Sequence, residues 1–139
     1  MSGEADQVKW RGVRPIAGIR GIWPDVDAVR VHASDFKSGV GQTIVYTVHA
    51  GKKLFIANAL QSSLETADAQ GLASLSVQNQ NNIFQYHISV HYFITADAFN
   101  TTFNFAVALE AAEGWDVYVE SGHANIATRG TIHGWLEDA

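Results

Sequence analysis

The chain has 139 residues, about the size of one domain; 47% of them are apolar and only 17% charged, below the roughly 25% usual in soluble domains. It has no cysteine, which excludes disulfides and thiolate metal sites, and no apolar run near the roughly 20 residues that would span a bilayer. The start Met1-Ser2-Gly3-Glu4-Ala5-Asp6 is polar and acidic with no apolar stretch behind it, so the chain is expected to be made in a cytoplasm, soluble and without a membrane partner.

The net charge of −5 is unevenly spread. Residues 1–53 hold eight of the nine Lys and Arg against five acids, a balance of +3, while residues 54–139 hold only Arg129 against nine acids, a balance of −8. Such asymmetry suits either a basic tail on nucleic acid or a basic arm on an acidic protein surface. With four cations between Lys9 and Arg20 and an acidic remainder, the docking arm is favoured and nucleic acid is not an expected partner.

Residues 1–27 read as an extended N-terminal arm. Arg11-Gly12-Val13-Arg14-Pro15 is echoed nine residues later by Arg20-Gly21-Ile22-Trp23-Pro24. Proline biases its predecessor toward extended backbone, and glycine at 12, 18 and 21 weakens any helix. Trp10, Ile16, Ile19, Ile22 and Trp23 are too apolar for a solvated tail, so the ribbon is expected to lie against protein; a first strand of the domain is the alternative. The candidate partner-binding residues are Trp10, Arg11, Arg14, Arg20 and Trp23, because arginine forks match carboxylates and buried aromatics anchor interfaces.

From residue 28 to 139 the pattern is β throughout. Runs rich in Val, Ile, Phe, Tyr and Thr recur about every ten residues between Gly, Asn, Asp and Ser clusters. Strands are predicted near Val29 to Ala33, Thr43 to Val48, Lys53 to Leu60, Leu72 to Gln78, Ile83 to Val90, Thr102 to Leu109, Trp115 to Glu120 and Ile126 to Leu136. Eight is the strand number of a jelly roll, so the expected fold is an all-β jelly-roll sandwich. Alternation places Ile44, Tyr46 and Val48 on one face, and Val117 and Val119 opposite Asp116, Tyr118 and Glu120. Gln78 to Asn82 is a polar connection, and Ser63 to Gln70 is a helical turn or loop.

No catalytic constellation emerges. His87 and His91, four apart on a strand, would share a face about 13 Å apart, too far for one metal. Asp97, Glu110, Glu113, Asp116 and Glu120 could supply a carboxylate pair but equally form the solvent face of an acidic domain. No nucleophile elbow or phosphate-binding loop occurs, and no motif calls for a cofactor or metal. Trp10, Trp23, Trp115 and Trp135 with Tyr86, Tyr92 and Tyr118 admit a different class, a carbohydrate- or receptor-binding module, since aromatic faces stack on sugars.

Tyr46-Thr47-Val48-His49-Ala50-Gly51-Lys52-Lys53-Leu54-Phe55-Ile56 resembles a strand-turn-strand signature of small jelly-roll structural proteins of tailed-bacteriophage virions, with His49 where that pattern carries proline. Ala50 and Gly51 would make its turn, setting two antiparallel strands in register. Thr131-Ile132-His133-Gly134-Trp135-Leu136-Glu137 is similar to the closing strand of such proteins. The resemblance implies a non-enzymatic virion structural role: a head decoration or capsid-associated subunit, a homo-oligomer with trimers among the candidates, contacting other virion proteins.

Overall fold

The structure, a computed structural model, describes Pro24, residues 27–68 and residues 70–139; the arm residues Trp10, Arg11, Arg14, Arg20 and Trp23 lie outside them. Eight strands follow in order: β1 (Val29–Ser38), β2 (Gly41–Thr47), β3 (Lys52–Glu65), β4 (Gly71–Gln78), β5 (Phe84–Phe93), β6 (Ala98–Ala111), β7 (Asp116–Ser121) and β8 (Ile126–Asp138). They form two four-stranded antiparallel sheets, β1-β8-β3-β6 and β2-β7-β4-β5. Every connection between consecutive strands crosses from one sheet to the other except β4–β5, which is the jelly-roll winding.

The core is the meeting of the two inner faces. Leu54, Ile56, Ala59, Ile132 and Leu136 from the first sheet pack against Leu75, Val77, Val117 and Val119 from the second, all fully or nearly fully buried. Val117 and Val119 alternate inward as expected, whereas Tyr118 and Glu120 point outward. Side chains of this size contribute about 1.5–3 kcal/mol each on burial, so this layer carries the stability.

Register shifts break the alternation in four places, one in β2, one in β3 and two between β4 and β5, and those in β2 and β5 overturn local expectations. β2 shifts register between Ile44 and Tyr46, so the extra residue, Val45, packs on the core while Ile44 is 39% exposed and does not share the face of Tyr46 and Val48. β5 shifts between Ser89 and His87, with Ile88 extra. His91 is therefore buried and His87 exposed, on opposite faces rather than one. In β3 the break falls between Ile56 and Asn58. A bulge inserts one residue and reverses the facing of everything beyond it.

The turn at 49–52 departs from the expected hairpin. Lys52 N–H donates to His49 O at 3.1 Å and Gly51 has φ +74°, the left-handed value that a third turn residue of this kind requires. The flanking strands do not pair, however: β2 joins β7 and β3 joins β6 and β8. The turn carries the chain from one sheet to the other, and Ala50 and Gly51 are exposed at the corner. In-out alternation is the same for a hairpin partner and for the opposing sheet, so the pattern alone does not separate them.

Strand ends also differ from the sequence reading. β3 runs on through Ser63 to Glu65, where a loop or helical turn is expected, because Gln61, Ser63 and Glu65 point inward and are buried despite being polar.

Gly134 explains the closing motif. A Cβ there would sit 1.9 Å from Phe55 O, so only glycine permits this approach of β8 to β3 beside the bulge. The neighbouring Trp135 then stacks on Phe55, with centroids 5.5 Å apart, and its indole N–H donates to Glu137 at 2.6 Å. Gly134→Ala is expected to destabilise the domain by about 3 kcal/mol, the cost of forcing two backbones apart, with quenching around Trp135 lost in the same transition. Thermal unfolding followed by tryptophan fluorescence measures both.

Candidate functional site

Three features of the sandwich bear on function. The first lies beside Pro24, the first of the described residues. Pro24 lines a groove of about 410 Å³ together with Arg30, His32, Ala57, His133 and Trp135 on the outer face of the first sheet. His32 and His133 are register partners on β1 and β8, and their rings stack at 4.3 Å. Arg30, Lys37, Lys52, Lys53 and Arg129, on β1, β3 and β8, are the cations of the described residues.

The second is the opposite edge, where β6 ends the first sheet and β5 ends the second. The two strands meet only at their extremities. At one end Tyr86 O–H donates to the Glu110 carbonyl at 2.7 Å, and burial together with the Glu110 carboxylate pushes the phenol up to about 12. At the other, His91 Nε2 is 2.8 Å from Thr101 Oγ1 and Phe93 packs on Phe99 with centroids 5.3 Å apart. Along the seam between them no hydrogen bond or ring contact joins the two strands among the described residues, although Ile88 of β5 and Phe105 of β6 both pack on the core. Phe99 and Phe103 pair with Ser63 and Ala59, buried residues of β3, so they face inward, yet Phe99 is 40% exposed and Phe103 half-buried. Val107, Tyr92 and Ile94 add exposed apolar surface beside it.

The third is a polar pocket of side chains inside the sandwich next to that seam. Gln61 Nε2 donates to Ser63 Oγ and Thr128 Oγ1, at 3.2 and 3.1 Å. Gln61 Oε1, Ser89 Oγ and His91 Nδ1 are buried and have no hydrogen-bond partner among the described residues. Desolvation lowers the pKa of His91.

The acids do not converge. Glu113 accepts Gly51 N–H at 2.6 Å, Asp116 accepts Thr47 O–H at 2.5 Å, Glu120 accepts from Gln42 at 3.2 Å and Asp97 caps Ala98 N–H at 2.8 Å. Each closes a turn or ties neighbouring strands, and Glu110 pairs with Lys53 at 3.6 Å. Among the described residues no group of three or more His, Asp and Glu is placed to hold a metal. Of the described aromatics considered for sugar stacking, Trp135 and Tyr118 are each 4% exposed and offer no free ring face, while Tyr92 is exposed by more than half. The sequence reading missed the open β6 edge and the polar interior. Its one available signal was Asn, Thr and Phe alternating without charge from residue 99 to 104.

No family model matches the chain, and no curated protein matches it. Among solved structures, a chain of the acid-stable capsid of Helicobacter pylori bacteriophage KHP30 is similar over 80% of this chain and 93% of its own, with a TM-score of 0.54 and 12% identity. A chain of the cyanophage Pam1 capsid aligns over 90% of this chain and 92% of its own, with a TM-score of 0.42 and 14% identity. The YomS protein of the SPBc2 prophage aligns over 78% and 97%, with a TM-score of 0.40 and 8% identity. The KHP30 likeness establishes a shared sandwich fold.

The buried His91 gives a pH dependence of defined sign. Its pKa is depressed in the folded chain relative to the ordinary 6.5. Below pH 6.5 the unfolded chain therefore binds the proton more readily, and the stability that neutral His91 contributes above that pH is lost as pH falls through 6.5 toward the folded pKa. Melting curves between pH 7 and 5 are expected to fall more steeply for the native chain than for His91→Gln, which keeps a donor for Thr101 but cannot titrate.

Proposed function

We propose that the chain is a structural subunit of a virus particle, a capsid decoration or capsid-associated protein that works as a homo-oligomer and holds its neighbours through the N-terminal arm. The likeness that supports this reading most directly is to the KHP30 capsid chain, because nearly the whole of that chain and most of this one are the same jelly roll. The open apolar edge supports it too, since an uncovered seam on a sandwich suits a molecule that is completed by neighbours. The acids and histidines are spent on turns and cross-strand ties, so the body supports assembly better than catalysis.

Two measurements test it. Mass spectrometry of density-purified particles from the virus carrying this gene should find the chain at tens of copies or more; its absence from them would refute a virion role. Deleting residues 1–23 is expected to leave a β-sheet circular dichroism spectrum and a melting temperature within a few degrees, because the described residues by themselves form two four-stranded sheets closed on an apolar core. Attachment to particles should be lost. Trp23→Ala should weaken attachment more than Arg11→Ala, Arg14→Ala or Arg20→Ala, since aromatic anchors outweigh exposed charges at interfaces; an intact attachment after truncation would place the contact on the sandwich alone.

A further inference from the structure

We propose that the β6 edge is a docking site for the N-terminal segment of a second copy of this chain, with residues 16–23 of one protomer added as a further strand beside Ala98–Asn104 of the next. The inference rests on the assembly reading above and gives it a location.

Among the described residues β6 is the outermost strand of its sheet, and from Ala98 to Asn104 it pairs with β3 without interruption. Its other side therefore presents a straight row of backbone N–H and C=O groups. Proteins ordinarily protect such an edge with lysine, proline, a bulge or a short strand. Residues 98–104 have no charge and no proline, and the break in pairing with β3 begins only after Asn104. The inward-facing Phe99 and Phe103 are left partly uncovered along the same stretch. An added strand would satisfy the backbone row and cover both rings, as in recognition by β-augmentation.

The chemistry of the edge selects the occupant. Residues 54–128 contain no lysine or arginine; Asp97 immediately precedes the 98–104 stretch, and Glu110 on β6 and Glu113 after it lie at the strand's other end. A partner with apolar and basic side chains fits this surface. Residues 1–23 carry Lys9, Arg11, Arg14 and Arg20 against Glu4 and Asp6, and from Ile16 to Trp23 they have no proline to interrupt a ladder. In a strand of period two, Ala17, Ile19, Gly21 and Trp23 share one side, an apolar set for the seam. A second copy of β6 instead would bring two cation-free, acid-flanked edges together.

Electrostatics also selects the source of that segment. Pro24 and β1 lie at the far edge of the same sheet, beyond β8 and β3. The described cations all lie on β1, β8 and the first two residues of β3. To reach its own β6, the basic segment would have to cross this cationic side of its own sheet, whereas a neighbour's cation-free edge attracts it. The two contact surfaces differ, so the interface is heterologous and builds a ring where the rotation closes.

The test uses the full-length chain. Size-exclusion chromatography with light scattering should give the native protein a mass several times 15.1 kDa. The double change Asn100→Lys with Thr102→Lys puts two like charges on the outer face of the edge and should reduce the mass to one chain, with an unchanged melting temperature. Because the chain has no cysteine, Gly18→Cys and Thr102→Cys, both on the outward side of the proposed pairing, can be made in separate preparations, mixed, and treated with a short bismaleimide. A hetero-crosslink between the two variants is expected. An edge-lysine variant that keeps the native mass overturns the proposal, as does a mixture of the two single-cysteine variants that gives no hetero-crosslink. The broader reading fails separately, through absence of the native chain from purified particles.

Discussion

A sandwich of two open four-stranded sheets has four edges, and each must be tied, covered or left to another chain, because an unpaired row of backbone donors and acceptors is both a cost and an invitation. Here the edges are treated unequally. On one side β1 runs into β2 through a tight connection at Gly39, whose N–H donates to Ile126 O at 3.0 Å, and the two strands stay close along their length. On the other, β5 and β6 touch at their ends through Tyr86 and through His91 with Phe93, and Phe99 and Phe103 of β6 stay partly uncovered. The placement of charge follows the same division: cations on and near β1, none on β5 or β6. Shape and electrostatics thus give the molecule two different sides, as head-to-tail assembly requires.

The interior next to the open seam differs from the rest of the core. Most of the layer between the sheets is Val, Leu and Ile, but Gln61, Ser63, Thr128, Ser89 and His91 occupy the end near Thr101 and Phe99. Polar groups buried with incomplete pairing cost stability, on the order of 1–3 kcal/mol each. That cost falls on the part of the core beside the β6 edge, and it makes the region sensitive to acid through His91. An all-apolar core would be more stable but would offer no such gradient from the tied side to the open one.

The sequence disclosed the number, order and approximate centres of all eight strands, because the spacing of Val, Ile, Phe and Tyr runs between turn residues survives small irregularities. It failed where physics outside the local pattern decided the outcome. Polar residues turned inward at Gln61, Ser63 and Glu65 erased the hydrophobic signal and hid the last turn of β3. One-residue bulges at Val45 and Ile88 reversed the facing of Ile44 relative to Tyr46 and of His87 relative to His91. The Ala50-Gly51 turn was legible from glycine's access to positive φ, but its flanking strands went to different sheets. The stacked His32–His133 pair and the open β6 edge depend on register and on which strand is outermost, and neither is written in any short window. The arm residues lie outside the described region, so their role rests on charge, apolarity and the edge that would receive them.

Hydrogen–deuterium exchange on the full-length protein tests the central claim most directly. If the β6 edge is closed by a neighbour, the outward-pointing amides of residues 98–104 should become protected as protein concentration rises through the assembly range, while those of the opposite edge β1 change little. Exchange at these amides that stays as fast as in an exposed strand, at every concentration at which the protein is assembled, would contradict the account.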